Sequence, residues 1–142
     1  MTLNKRSSVV TQTCPASPEV SQLHYFRKLS FETDCADVHA AFSAGTVDFT
    51  LLDVRGPNSF RKAHVPGATN LPRDKMTVEV LNSFEHKDCF VVYCAGPHCN
   101  GADKAAEKIA SLGFPVKIMI GGVTGWRDEG FKFIEESDLP QN

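Results

Sequence analysis

The chain has 142 residues, 42% of them hydrophobic, and a formal net charge of -2 from 15 basic and 17 acidic side chains. That length suits one domain with its own core, and the near balance of charge leaves no broad positive field or polybasic run, which excludes nucleic acid and anionic membrane surfaces as partners. No stretch is apolar enough for a secretory signal or a membrane span, which predicts a cytoplasmic protein, and an odd number of cysteines (Cys14, Cys35, Cys89, Cys94, Cys99) is then expected as reduced thiols.

Residues 1 to 17 are polar, end in Pro15-Ala16-Ser17-Pro18 and are expected to form a flexible leader. Val20, Leu23, Tyr25, Phe26 and Leu29 recur at three- and four-residue spacing, which predicts a helix over residues 18 to 30 packing on the domain that follows. That domain is expected over residues 31 to 136, with a C-terminal tail over 137 to 142, and the acidic Glu135-Glu136-Ser137-Asp138 is expected to be a solvated end. Asp34 is placed to cap a helix over Cys35 to Ala44, and Gly45 to end it. Phe49 to Val54 is a strand, and Arg55-Gly56-Pro57 turns into a short helical stretch. The heavily punctuated His64 to Pro72 leaves room only for a brief strand at Ala68 to Asn70. Met76, Val80, Leu81 and Phe84 predict a helix over 74 to 84. Cys89-Phe90-Val91-Val92-Tyr93-Cys94 is an apolar run without alternation, the pattern of a strand buried on both faces. Ala102 to Leu112 is a helix stopped by Gly113, Pro115 to Ile120 is a strand, and Gly121-Gly122 turns into a short helix holding Trp126. Short apolar strands alternating with helices predict an α/β domain with a mainly parallel sheet and helices on both faces.

In such sheets ligands gather beyond the carboxyl ends of the strands, which singles out Cys94. The loop Ala95-Gly96-Pro97-His98-Cys99-Asn100-Gly101 is small and turn-rich, so its N–H groups can converge on one anion ahead of a helix N-terminus. A thiol starting near 8.5 is then expected to fall toward about 7 and act as a nucleophile.

Four segments in order, Leu51-Leu52-Asp53-Val54-Arg55, His64-Val65-Pro66-Gly67-Ala68, Val91-Val92-Tyr93-Cys94 and Gly121-Gly122-Val123-Thr124-Gly125-Trp126, make the chain resemble the rhodanese-like family of single-domain sulfurtransferases from about residue 30 to residue 136. The resemblance implies a five-stranded parallel sheet with flanking helices. It also implies that Cys94 takes a sulfane sulfur from a small-molecule donor and passes it as a persulfide to a thiophilic acceptor, a protein thiol included, with no metal or organic cofactor. The backbone from Ala95 to Gly101 would hold the thiolate and the persulfide. Two departures bear on the substrate. Cys99 occupies the sixth loop position, where the family often offers Arg or Thr, and His98 is the sole basic side chain between Cys94 and Lys104. A small or protein persulfide is therefore as suitable a donor as thiosulfate. Related phosphatases and arsenate reductases carry Arg six residues after the cysteine, where this chain has Asn100, which disfavours phosphoryl chemistry.

Cys99 could instead resolve a persulfide or sulfenic acid on Cys94, giving a thiol redox or sensor protein, or it is simply a small loop residue. His98 either tunes the thiolate or is an idle exposed histidine. A metal site built from Cys94, His98 and Cys99 would need distant ligands such as His64 or His86 and is not expected. Asp53 and Arg55 end another strand and are expected to brace loops rather than touch substrate. Turn geometry accounts for Pro66-Gly67 and Gly121-Gly122, and Trp126 is expected in the core. A docking module without catalysis is the remaining alternative.

Overall fold

The structure, a computed structural model, describes residues 7–140. Residues 1 to 6 of the expected leader and residues 141 and 142 of the expected tail lie outside the described residues. The chain divides into two units after Ser30. In the first, helix α1 (Pro18–Phe31) starts two residues before the apolar spacing does. Ser17 supplies the reason: its Oγ accepts from Val20 N at 3.4 Å and its carbonyl from Ser21 N at 2.9 Å, with Pro18 opening the first turn.

The second unit is built on a parallel sheet of five strands: β1 (Glu32–Asp34), β2 (Thr50–Asp53), β4 (Thr69–Asn70), β5 (Phe90–Tyr93) and β6 (Val116–Ile120). The spatial order is β1-β6-β5-β2-β4, with Leu52 opposite Val92 and Val92 opposite Ile118. A separate antiparallel pair joins β3 (Ala63–His64), which directly follows the short helix α3 (Pro57–Lys62), to β7 (Ile134–Glu135).

Strand β5 is central because every residue in it can be buried: Phe90 to Tyr93 are all 3% exposed or less. Phe90 and Val92 face one layer with Leu52, Leu81, Ala105 and Ile109, while Val91 and Tyr93 face the other with Leu51, Val38, Met119 and Trp126. Each such side chain contributes roughly 1.5–3 kcal/mol through burial. Helices α4 (Val78–Asn82) and α5 (Gly101–Ser111) cover the first face, and α2 (Cys35–Ala44) and α6 (Gly122–Asp128) the second. Asp34 Oδ1 caps α2 by accepting from Asp37 N at 2.8 Å, and Gly45 ends it in the left-handed region at φ 69°.

Three details differ from expectation. Glu32-Thr33-Asp34 forms an edge strand although its residues are polar, because one side of an edge can face water. The helix expected over 74 to 84 is broken into a 3-10 turn at Arg73–Lys75 and the short α4, since Thr77 Oγ1 caps a new start by accepting from Val80 N at 3.1 Å. The acidic end is structured in part: Glu135 pairs in β7, and Glu136–Asp138 makes a 3-10 turn whose Asp138 carboxylate accepts from Glu135 N at 2.9 Å.

Candidate functional site

Cys94 directly follows β5, so the sheet delivers its sulfur to the carboxyl edge, and Cys94 is only 9% exposed. The next residues turn back at once, with Cys99 N donating to Gly96 O at 3.0 Å. Helix α5 begins at Gly101 without a side-chain cap from Asn100. His98 and Asn100 are exposed, Ala95 and Cys99 are half-buried, and Gly96 is buried.

The loop is held from behind by the start of α6. Val123 N donates to Cys94 O at 3.1 Å, and Ala95 O accepts from both Thr124 N (3.0 Å) and Thr124 Oγ1 (3.1 Å). Gly122 must approach so closely that a Cβ there would strike the Cys94 carbonyl, and its φ is 57°. A Cβ on Gly96 would lie 2.6 Å from Thr124 Oγ1. The Gly121-Gly122-Val123-Thr124 segment is thus more than a turn. It clamps the cysteine loop, a role of Thr124 that sequence reasoning missed and that follows only from the β5 and β6 pairing.

The two loop sulfurs converge. A Cβ on Gly101 would stand 2.9 Å from Cys94 Sγ and 3.3 Å from Cys99 Sγ, so glycine leaves the space that both sulfurs share. Gly101 N donates to Cys99 Sγ at 3.4 Å. Burial pushes the Cys94 thiol up to about 11, its hydrogen bond to Cys99 adds to the rise, and the Ala95 N–H opposes it. This is opposite in sign to the fall expected from the helix terminus. Cys99 moves down from the usual thiol value, chiefly because it accepts from Cys94 and then because it accepts from Gly101 N–H. Of the two, Cys99 is therefore the readier to give up its proton. The expected backbone cradle is correspondingly divided: Pro97 has no N–H, Cys99 N serves Gly96, and Gly101 N serves Cys99 rather than Cys94.

Asp53 and Arg55 stand at the end of β2, beside β5, and are locked together. Asp53 is fully buried, and it accepts from Arg55 Nε at 3.0 Å and from a terminal guanidinium nitrogen at 2.7 Å. The same guanidinium nitrogen donates to Ala63 O at 2.6 Å. Burial opposes the Arg55 charge, but the Asp53 carboxylate outweighs it and the guanidinium is held above its usual range. Tyr93 OH accepts from Val65 N at 3.0 Å, tying β5 to the same segment. Trp126 is 2% exposed in the core, its Nε1 donating to Lys132 O at 2.9 Å.

A cavity of about 620 Å³ opens beside Cys94. Cys99, Gly96 and Pro97 line it on the loop side, and Cys35 on the other. Cys35 begins α2, its Sγ donating to Ile120 O (3.6 Å) and Gly122 O (3.7 Å), and burial followed by the Asp34 and Glu129 charges pushes it up to about 11. Five carboxylates, Glu32, Asp34, Asp103, Asp128 and Glu129, line the same cavity, with no Lys, Arg or His among the described residues that form it. They come from four segments, β1, α5, α6 and the residue after α6, so no stretch of sequence displays them together. Among the described residues no helix is long and apolar enough to cross a membrane.

A profile described as "Rhodanese-like domain" matches residues 34–129. Over 78 residues the chain is 33% identical to the thiosulfate sulfurtransferase GlpE of Tolumonas auensis, covering 54% of this chain and 71% of that one. Over 83 residues it is 31% identical to the HTH-type transcriptional regulator Rv0324 of Mycobacterium tuberculosis, covering 58% of this chain but only 36% of the regulator's length. The crystal structure of BH2092 protein from Bacillus halodurans superposes with a TM-score of 0.80 at 35% identity, covering 87% of this chain and 92% of that one.

Proposed function

The chain belongs to the rhodanese-like domain family, and on that premise we propose that it is a sulfurtransferase in which Cys94 carries sulfane sulfur as a persulfide. The observation that carries the reading is the position of Cys94: it follows the central strand, lines the open cavity, and its sulfur adjoins a second sulfur able to take its proton. As the donor R–S–S⁻ enters, the Cys94 proton passes to Cys99. The Cys94 sulfur attacks the outer sulfur of the donor, whose S–S bond breaks with its electron pair leaving on R–S⁻. The Ala95 N–H then faces an anionic persulfide, and an acceptor thiolate removes the outer sulfur by the same exchange.

The acidic lining bears on the donor. A thiosulfate dianion meets repulsion from five carboxylates with no lining cation to offset it, whereas a zwitterionic persulfide such as that of cysteine brings an ammonium group that the rim attracts. Asp53 and Arg55 act as bracing residues, since the guanidinium is already engaged by the carboxylate and by Ala63 O.

The test is to incubate the reduced protein anaerobically with cysteine persulfide, glutathione persulfide or thiosulfate and to follow sulfur delivery to cyanide or an acceptor thiol. Cysteine persulfide should be the fastest donor and thiosulfate the slowest. Delivery that survives in Cys94→Ser would overturn the reading of Cys94, and preference for thiosulfate would overturn the reading of the rim.

A further inference from the structure

A persulfide on Cys94 would form beside a second sulfur that nothing in the transfer reaction consumes. Gly101 leaves one small space that both Sγ atoms border, at 2.9 and 3.3 Å from the place of its missing Cβ. The loop between them, Ala95 to His98, is short and contains Gly96, Gly101 follows two residues after Cys99, and Cys99 is the more exposed of the pair.

From this juxtaposition we propose that Cys99 resolves the Cys94 persulfide from within the loop, releasing hydrosulfide and closing a Cys94–Cys99 disulfide. This gives the domain a persulfide-reducing activity and rests on the sulfurtransferase reading above.

Loading leaves Cys94–S–S⁻ facing Cys99–SH. The Cys99 sulfur attacks Cys94 Sγ, so a bond forms between the two Sγ atoms. The bond from Cys94 Sγ to the outer sulfur breaks, and its electron pair leaves on that sulfur. The Cys99 proton goes to the departing atom, which leaves as HS⁻. The sulfane sulfur is reduced to sulfide and the two cysteine sulfurs are oxidised to a disulfide, so atoms, charge and electrons balance without a further reactant. A second turnover requires a co-reactant of stated class: a low-molecular-weight thiol or a dithiol protein that reduces the disulfide and is itself oxidised. The substrate pair is then a persulfide and a dithiol rather than a sulfur donor and a sulfur acceptor.

The experiment loads fully reduced full-length protein anaerobically with cysteine persulfide, removes excess donor, and reads both released sulfide and peptide mass with no external thiol present. The wild type should release sulfide and show a Cys94–Cys99 link lighter by two hydrogen atoms. Cys94→Ser should give neither product. Cys99→Ser should release at least about tenfold less sulfide, and any sulfur it gains should remain on Cys94. Adding a dithiol to the wild type should restore both thiols and permit another round of sulfide release.

A wild-type protein that holds a stable added sulfur on Cys94, without sulfide or disulfide, overturns the internal resolution and leaves the sulfurtransferase reading standing. An added sulfur recovered on Cys99 also overturns it, because attack then falls on the outer sulfur. Protein that neither gains sulfur nor forms the link under these conditions overturns both readings.

Discussion

Cys35 and Cys94 occupy matching places: each follows the carboxyl end of a parallel strand, each is buried, each lines the same cavity, and burial pushes each thiol up to about 11. Each has one backbone N–H that favours the thiolate, its own for Cys35 and that of Ala95 for Cys94, and their other partners differ. Cys35 Sγ donates to two carbonyl oxygens, Ile120 O and Gly122 O, which reward the protonated thiol and repel a thiolate. Cys94 has the Ala95 N–H and a neighbouring sulfur that can accept its proton. A strand end therefore grants access to the cavity, and what separates the two thiols is the partner of each sulfur, carbonyl oxygens for Cys35 and a second thiol for Cys94.

The largest effect that tests this contrast is on sulfur transfer. Cys94→Ser should abolish single-turnover delivery of sulfane sulfur, while Cys35→Ala should retain it; a dead Cys35 variant that still folds would erase the distinction. Arg55→Ala comes next, because it strands the fully buried Asp53 carboxylate. The expected loss is about 3–5 kcal/mol by denaturant titration, and a loss under about 1 kcal/mol would mean the strand end at β2 does not depend on this pair. Gly122→Ala touches both cysteines at once, through the Cys94 carbonyl it would strike and the Gly122 carbonyl that Cys35 uses. Backbone strain and overpacking together should cost about 1–3 kcal/mol, with transfer slowed along with it.

The pH dependence is smaller. Between pH 9.0 and about 11 the unfolded chain has released the Cys35 proton while the folded chain retains it, so stability should fall as pH rises, by up to about 1.4 kcal/mol per pH unit for each such thiol. Cys35→Ala should flatten that slope; an unchanged slope would argue against a buried neutral thiol. The subtlest expectation is the order of alkylation at neutral pH: Cys99 before Cys94, and both before Cys35, read by peptide mass after limiting iodoacetamide.

Local patterns carried much of the fold into the sequence. The unbroken Phe90-Val91-Val92-Tyr93 run announces a central strand, and Asp34 with Gly45 bounds α2 through cap chemistry that operates within a few residues. What stayed hidden depends on distant partners. The polar β1 is a strand only because β6 lies beside it, and the two-residue β3 and β7 define each other. At the site, the candidate nucleophile and its loop were legible, but the pKa of Cys94 was not. The helix-terminus argument counts a local dipole and omits the desolvation imposed by surrounding layers, which here prevails. The acidic cavity was equally invisible, since Glu32, Asp103 and Asp128 meet only in three dimensions.

The clamp between α6 and the cysteine loop has an optical consequence. Trp126 is the single tryptophan of the chain, and it lies on the same short helix whose Val123 and Thr124 amides grip the carbonyls of Cys94 and Ala95. Any chemistry on sulfur that shifts those carbonyls pulls on the helix that carries the indole. Intrinsic fluorescence can therefore follow loading and discharge of the loop in real time, without a label and without a second indole to obscure the signal.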